Sequence, residues 1–219
     1  MKRPVSASTA SPARRAGWAA ITVLAAAITL LVAPYLTLDP DVFLEEQKAV
    51  YLANQGSLFL HVAGGVVALV LGPVQFVSRL RRRLPVVHRV TGRVYLTGAV
   101  AAGIGGLLLA PTSYTGVVAA LGFGALAVLM LLTSVAAFVT IRRRQVNRHR
   151  TWITRSYALI FTAVTFRMWL VFVPMAGVSF EDAYMSGAWV SWVVNLLVAE
   201  LVIRSRPAVA GGGAAAASA

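Results

Sequence analysis

Six apolar runs, each near the length that a helix needs to cross a bilayer, dictate what this chain can fold into: Trp18–Leu36, Leu58–Val77, Val94–Ala110, Val117–Ile141, Ile153–Pro174 and Ala188–Ile203. A hydrocarbon core about 30 Å thick takes about 20 apolar residues in a helix. Lipid offers no partner to backbone amides, so such runs read as helices, which satisfy their own. The expectation is an all-α, six-span transmembrane helical bundle over residues 17–206. The leader at 1–16 and the tail at 207–219 are rich in small residues that cannot bury a core, and are expected to be disordered. Composition agrees, with 58% hydrophobic and 12% charged residues and a mean hydropathy of +0.77, against about 25% charged in soluble domains. The third run is the shortest, and Gly103, Gly105 and Gly106 loosen it further, so it is expected to sit thin in the bilayer.

Charge sorts by side. Lys2, Arg3, Arg14 and Arg15 precede the first run, Arg81–Arg83 and Arg142–Arg144 follow the second and fourth, and Arg204 and Arg206 follow the sixth. The alternate segments carry Asp39, Asp41, Glu45 and Glu46 with Lys48, then no charge, then Glu181 and Asp182. Basic loops are retained in the cytoplasm, so both termini are expected there. The net charge of +13 thereby finds a topological cause and calls for no nucleic-acid partner. Eighteen Arg against two Lys, with abundant Ala, suits GC-rich coding and a bacterial plasma membrane. The first run lacks a small-x-small cleavage site at 34–39 and is read as an uncleaved span. Cysteine is absent, which excludes disulfides, thiolate metal ligands and cysteine nucleophiles.

The pattern Arg-Arg-Arg-x-x-x-x-His-Arg occurs twice, at Arg81–Arg89 and Arg142–Arg150, an interval of 61 residues. Gly92, Arg93 and Tyr95 follow the first copy; Trp152, Arg155 and Tyr157 follow the second, one residue out of step. Each loop also joins a descending helix to an ascending one. Spans two–three and four–five are therefore read as repeated hairpins, which would set His88 and His149 at equivalent depths.

Few residues are left for chemistry. In the second span His61, Gly65, Ala68, Gly72, Gln75 and Arg79 share one helical face, with Gly64, Ala68 and Gly72 as a small-residue run beside it and Pro73 as a kink. This reads either as helix packing or as a ligand-facing stripe. Arg167 lies about 10 Å from the outer end of the fifth span, with Asn195 as its expected neutral partner. Glu200 is expected to pair with Arg204, four residues on. For the two histidine loops three readings stand. They are topogenic charge; or His88 and His149 are axial ligands of a b-type haem, with arginines on its propionates; or Arg89, Arg93, Arg150 and Arg155 hold phosphate or acidic lipid. Three histidines admit one haem at most. No catalytic constellation and no metal-type spacing is present, and no Asp or Glu lies mid-span as a proton-coupled transporter would want.

Gly72-Pro73-Val74-Gln75-Phe76, then His88-Arg89-x-x-Gly92-Arg93-x-Tyr95, then His149-Arg150-x-Trp152-x-x-Arg155-x-Tyr157 with Arg167, resembles a bacterial family of predicted membrane proteins known only as a domain of unknown function. The resemblance spans His61 to Trp169. It implies that His61, Gln75, the His-Arg pairs, Arg155 and Arg167 are family features, and it supplies no reaction. The functional expectation is a non-enzymatic scaffold or a protein binding a small ligand or acidic lipid. A single-haem redox protein, using His88 and His149 or His61 with a membrane partner subunit or a second copy, and a transporter subunit are the alternatives.

Overall fold

The computed structural model describes residues 12–205; the leader and tail expectations fall largely outside them. Among the described residues the chain is helical throughout: α1 (Pro12–Val32), α2 (Glu45–Ala53), α3 (Gln55–Gln75), α4 (Ser78–Arg83), α5 (Pro85–Leu109), α6 (Val117–Arg142), α7 (Val146–Ile160), α8 (Thr162–Met175) and α9 (Phe180–Arg204), with three short 3₁₀ turns at Ala33–Thr37, Pro40–Val42 and Ala110–Thr112. Six helical segments are long and apolar enough to cross a membrane. They are α1 with its 3₁₀ turn, α3, α5 with its 3₁₀ turn, α6, α7 continued by α8, and α9. The protein is a multi-pass membrane protein with six apolar helices.

Two spans differ from the hydropathy reading. The third is not short. α5 begins at Pro85, nine residues before the apolar run, with proline in the first turn, where its missing N–H is no loss. His88, Arg89 and Arg93 depress hydropathy there without disturbing the helix. The fifth is two helices meeting at Phe161, where the i→i+4 ladder lapses. The Ala158 carbonyl next to this lapse accepts from Asn195 Nδ2 at 3.1 Å. A side chain from α9 thus satisfies a carbonyl that lipid could not.

Backbone proximity organises the centre. α3 and α5 touch through glycine: a Cβ on Gly64 would lie 2.5 Å from both Ala102 N and Gly98 O, and one on Gly105 2.5 Å from His61 N. Small residues are what allow helices to close this far without a hydrophobic driving force. The small-residue run Gly64, Ala68 and Gly72 is buried, Gly64 against α5 and Gly72 against the Tyr157 ring of α7, whereas Gly65 faces open space. Of the expected face His61, Ala68, Gly72 and Gln75 turn to neighbouring helices and Gly65 does not; Gly64, in the run beside it, makes the close contact instead. α3 and α6 each touch both α5 and α7, α9 packs on α6, α7 and α8, and α1 lies outside on α3. Trp18 Nε1 donates to the Pro73 carbonyl at 3.3 Å, joining α1 to the proline turn of α3. At the middle, Tyr95 is wholly buried and shares a hydrogen bond with Ser156 (2.8 Å), which in turn meets Ser134 (3.2 Å). Tyr95 and its counterpart in the second loop motif, Tyr157, have ring centroids 6.5 Å apart.

Candidate functional site

Chemistry-bearing side chains gather at the two ends of the bundle. At the arginine-loop end α4 packs on α5, with the start of α7 within charge reach of both. His149 Nδ1 lies 2.8 Å from the Ala137 carbonyl; a carbonyl only accepts, so Nδ1 carries the proton and Nε2 is left for another partner. His88 is half-buried, and its Nδ1 is enclosed with no hydrogen-bond partner. It lies within charge reach of Arg81 and of His149. Arg81 is half-buried, while Arg82, Arg83 and Arg142–Arg144 are exposed. Burial, with Arg150 and then Arg82 nearby, pulls the Arg81 guanidinium below its ordinary value. The two histidine loops thus come together. Such surroundings favour an anion over a bare metal ion. Arg89 and Arg93 lie on exposed helix faces and do not join the group.

One helical turn further in, Gln75 is buried and donates through Nε2 to Thr91 Oγ1 (3.1 Å) and to the Leu71 carbonyl (3.4 Å). Gly92 stands opposite, where a Cβ would come within 3.1 Å of Gln75 Oε1. Gln75 therefore ties α3 to α5.

Arg155 donates from Nε to Glu200 Oε1 at 2.5 Å and from NH2 to Oε2 at 3.1 Å, and its guanidinium stacks 4.7 Å from the Trp152 ring. The expected Glu200–Arg204 pair is thereby corrected. A bidentate fork across helices neutralises both charges, whereas Arg204 sits in the last turn of α9. Arg155 is thus occupied by protein and is not an open anion site.

The opposite end holds Arg167 and His61. Arg167, on α8, donates from NH1 to the Ala163 carbonyl one turn below at 2.9 Å. Asn195 is not its partner. Asn195 accepts from Thr165 Oγ1 (2.9 Å) and donates to Ala158, so the break in the fifth span claims it first. Among the described residues the only salt bridges are Lys48–Glu45 and Arg155–Glu200, and Arg167 has no carboxylate within 4 Å. His61 Nδ1–H donates to the Ala102 carbonyl at 2.8 Å, across the glycine seam. His61 and Arg167 lie within charge reach of one another.

Around them stands an aromatic shelf that the sequence reading did not single out. Tyr35, Phe43 and Tyr51 pack mutually with centroids 5.5–6.0 Å apart. Tyr184 packs on Tyr114, Phe123 and Phe166 at 5.4–5.9 Å. The Tyr51 hydroxyl bonds to Gln47, which is buried. Burial, then the neighbouring Tyr184 and Tyr35 hydroxyls, push the Tyr51 phenol above its ordinary range, while Arg167 opposes them. In the turn between α5 and α6, Thr115 Oγ1 is enclosed without a hydrogen-bond partner among the described residues, and Ser113 Oγ lies beside the Tyr184 hydroxyl. The available signal was the clustering of Tyr35, Gln47 and Tyr51 in a segment otherwise acidic and exposed.

Two surface cavities open on the described residues. One of about 440 Å³ is lined by Arg144–Arg148, and one of about 290 Å³ by Leu96, Thr97, Val100, Ser134, Val135 and Phe138. Neither has a histidine in its wall.

Comparison with known proteins gives one match: the family described as "Predicted membrane protein (DUF2306)" aligns with residues 58–203, about two-thirds of the chain. No curated protein and no solved structure matches.

Proposed function

This chain belongs to the DUF2306 family of predicted membrane proteins, and from that premise we propose that it is a binding protein for a small anionic ligand at the end opposite the arginine loops. The family supplies no reaction, and none is assigned. The reading is carried by the contrast between two arginines of one span. Arg155 is matched by Glu200, whereas among the described residues Arg167 has a single hydrogen-bond acceptor and no carboxylate. An arginine within a span costs at least about 2.5 kcal/mol unless something offsets it. A carboxylate or phosphate ester would do so, using the guanidinium donors that Ala163 leaves unused. His61 supports the reading, because its first ring nitrogen is fixed by Ala102 and its second has no hydrogen-bond partner among the described residues. Tyr35, Tyr51 and Tyr184 offer apolar faces to the rest of the ligand and hydroxyls near its charge. On the charge-sorting argument this end faces away from the cytoplasm of a bacterial plasma membrane.

The test uses octanoate, benzoate and methyl phosphate as probes on the detergent-purified protein, with thermal unfolding as readout. At least one probe should stabilise the wild type in a saturable way. Arg167→Gln should weaken that binding about tenfold to a hundredfold, the worth of a charge-assisted hydrogen bond of about 1.5–3 kcal/mol. No stabilisation by any probe, or equal stabilisation of wild type and variant, refutes the assignment.

A further inference from the structure

Between α5 and α6 a cleft of about 290 Å³ is lined by Leu96, Thr97, Val100, Ser134, Val135 and Phe138. It opens sideways to hydrocarbon, since Thr97, Val135 and Phe138 are exposed within two membrane-length helices. Glycine fixes the register of the pair: a Cβ on Gly103 would lie 2.9 Å from Leu131 Cδ2, and one on Gly106 3.9 Å from Ala127 Cβ. Counting ten residues back from Gly103 and ten on from Leu131 sets Arg93 level with Ile141, and so beside Arg142 in depth. Both arginines are exposed, and neither takes part in a described salt bridge.

Helical periodicity repeats one order of chemistry on the two faces that line the cleft. Arg93, Thr97 and Val100 share a face of α5, and Arg142, Phe138 and Val135 share a face of α6. Going inward, each face passes from charge to hydrocarbon over about 10 Å, at 1.5 Å per residue. Thr97 departs from the other threonines of the bundle. Thr91, Thr133 and Thr140 return their hydroxyls to the carbonyl four residues earlier, whereas Thr97, in the cleft wall, makes no such bond among the described residues. Hydrocarbon offers that hydroxyl no acceptor, so an occupant that brings one to this depth is favoured.

We propose that the cleft holds one anionic glycerophospholipid of the leaflet on the arginine-loop side. Its phosphate lies between Arg93 and Arg142, an ester carbonyl accepts from Thr97, and an acyl chain runs inward over Val100 and Val135. The match is one of order as well as of charge, because such a lipid carries anion, ester and hydrocarbon in that succession. A free phosphate would leave the apolar cleft unfilled, and a hydrocarbon chain alone would leave both guanidiniums unmatched. A zwitterionic headgroup brings an ammonium towards two arginines, so a net negative lipid is preferred. The cleft shares no residue with the anion site at Arg167, and neither assignment depends on the other.

The experiment measures binding to delipidated full-length protein in neutral detergent by native mass spectrometry. The probes are dioleoyl phosphatidylglycerol, dioleoyl phosphatidylcholine, and glycerol phosphate as a headgroup without chains. Phosphatidylglycerol should be retained in preference to the other two. Arg93→Gln should weaken it about fivefold, against less than about twofold for Arg143→Gln, which removes the same charge from the residue after Arg142. Val100→Phe fills the cleft with both arginines in place, and should also lose about fivefold. Should Val100→Phe fail to fold, Thr97→Val, which conserves shape, should still lose about threefold. Equal losses in the two arginine variants, undiminished binding with the cleft filled or Thr97 replaced, glycerol phosphate held as tightly as the lipid, or no preference over phosphatidylcholine would each overturn the assignment.

Discussion

Two adjacent glycines in α3 should respond oppositely to the same methyl group. At Gly64 a Cβ would meet Ala102 N and Gly98 O at 2.5 Å and Ala101 Cβ at 2.9 Å; at Gly65 it would meet nothing within 4 Å. Backbone atoms of a neighbouring helix cannot swing aside as a side-chain tip can. Gly64→Ala therefore forces α3 and α5 apart by about 1 Å to restore ordinary contact. That movement is felt at Gly98 and Gly105, whose own closest approaches are 2.9 Å and 2.5 Å. It also stretches the 2.8 Å bond from His61 to the Ala102 carbonyl. Overpacking costs about 1–3 kcal/mol, and loss of the hydrogen bond adds about 0.5–1.5 kcal/mol, so Gly64→Ala should destabilise by about 2–4 kcal/mol. Gly65→Ala relieves backbone entropy at no steric cost and should be neutral or stabilising by up to about 1 kcal/mol. Equilibrium unfolding of the two variants in mixed micelles, followed by tryptophan fluorescence, reads the difference directly. If the two unfold within about 1 kcal/mol of one another, the close α3–α5 seam is wrong, and the placement of His61 falls with it.

Two further outcomes follow from the intramembrane charges and the loops. Glu200→Gln leaves Arg155 without its carboxylate and should destabilise by about 1–3 kcal/mol, discounted because both side chains retain about a third of their exposure. Adding Arg155→Gln should recover part of that loss in the same unfolding assay, and a further additive loss would contradict the pairing. The chain contains no cysteine, so single-cysteine labelling in whole cells is free of background. Arg83→Cys should react only after the membrane is permeabilised and Asp41→Cys in intact cells; the reverse pattern would invert the topology.

The spans were legible because length and hydropathy are local properties, and six runs became six membrane-length segments. The edges were less so. α5 extends to Pro85 because a helix tolerates His88, Arg89 and Arg93 that a hydropathy window penalises. Side-chain partners were the least legible, since sequence spacing ranks neighbours along one helix and says nothing of those across a bundle. Glu200 was matched with Arg204 four residues on, yet it pairs with Arg155, 45 residues earlier. Asn195 was matched with Arg167 by depth, yet it serves Ala158 and Thr165, because no sequence pattern announces a helix break at Phe161. The candidate residues His61 and Arg167 could be named by scarcity, as polar groups within apolar runs, and His88 and His149 by the repeated loop pattern. Their companions Tyr35, Tyr51 and Tyr184 could not, as aromatic residues are ordinary at membrane interfaces.

The lapse at Phe161 has a mechanical meaning. A continuous helix transmits rotation and tilt along its whole length, but a missing rung is the point at which it bends at least cost. Here α9 grips the span on either side of that point, through Asn195 near the joint and Glu200 below it. Only the segment carrying Arg155 is fastened by charge. The segment carrying Arg167 is held by neutral contacts: Thr165 Oγ1 donating to Asn195 (2.9 Å), Trp169 Nε1 donating to Ser186 (3.1 Å) and packing against Gly187. The fifth span is thus stiff at one end and compliant at the other, so a load on Arg167 displaces the half that bears it and leaves the anchored half in place.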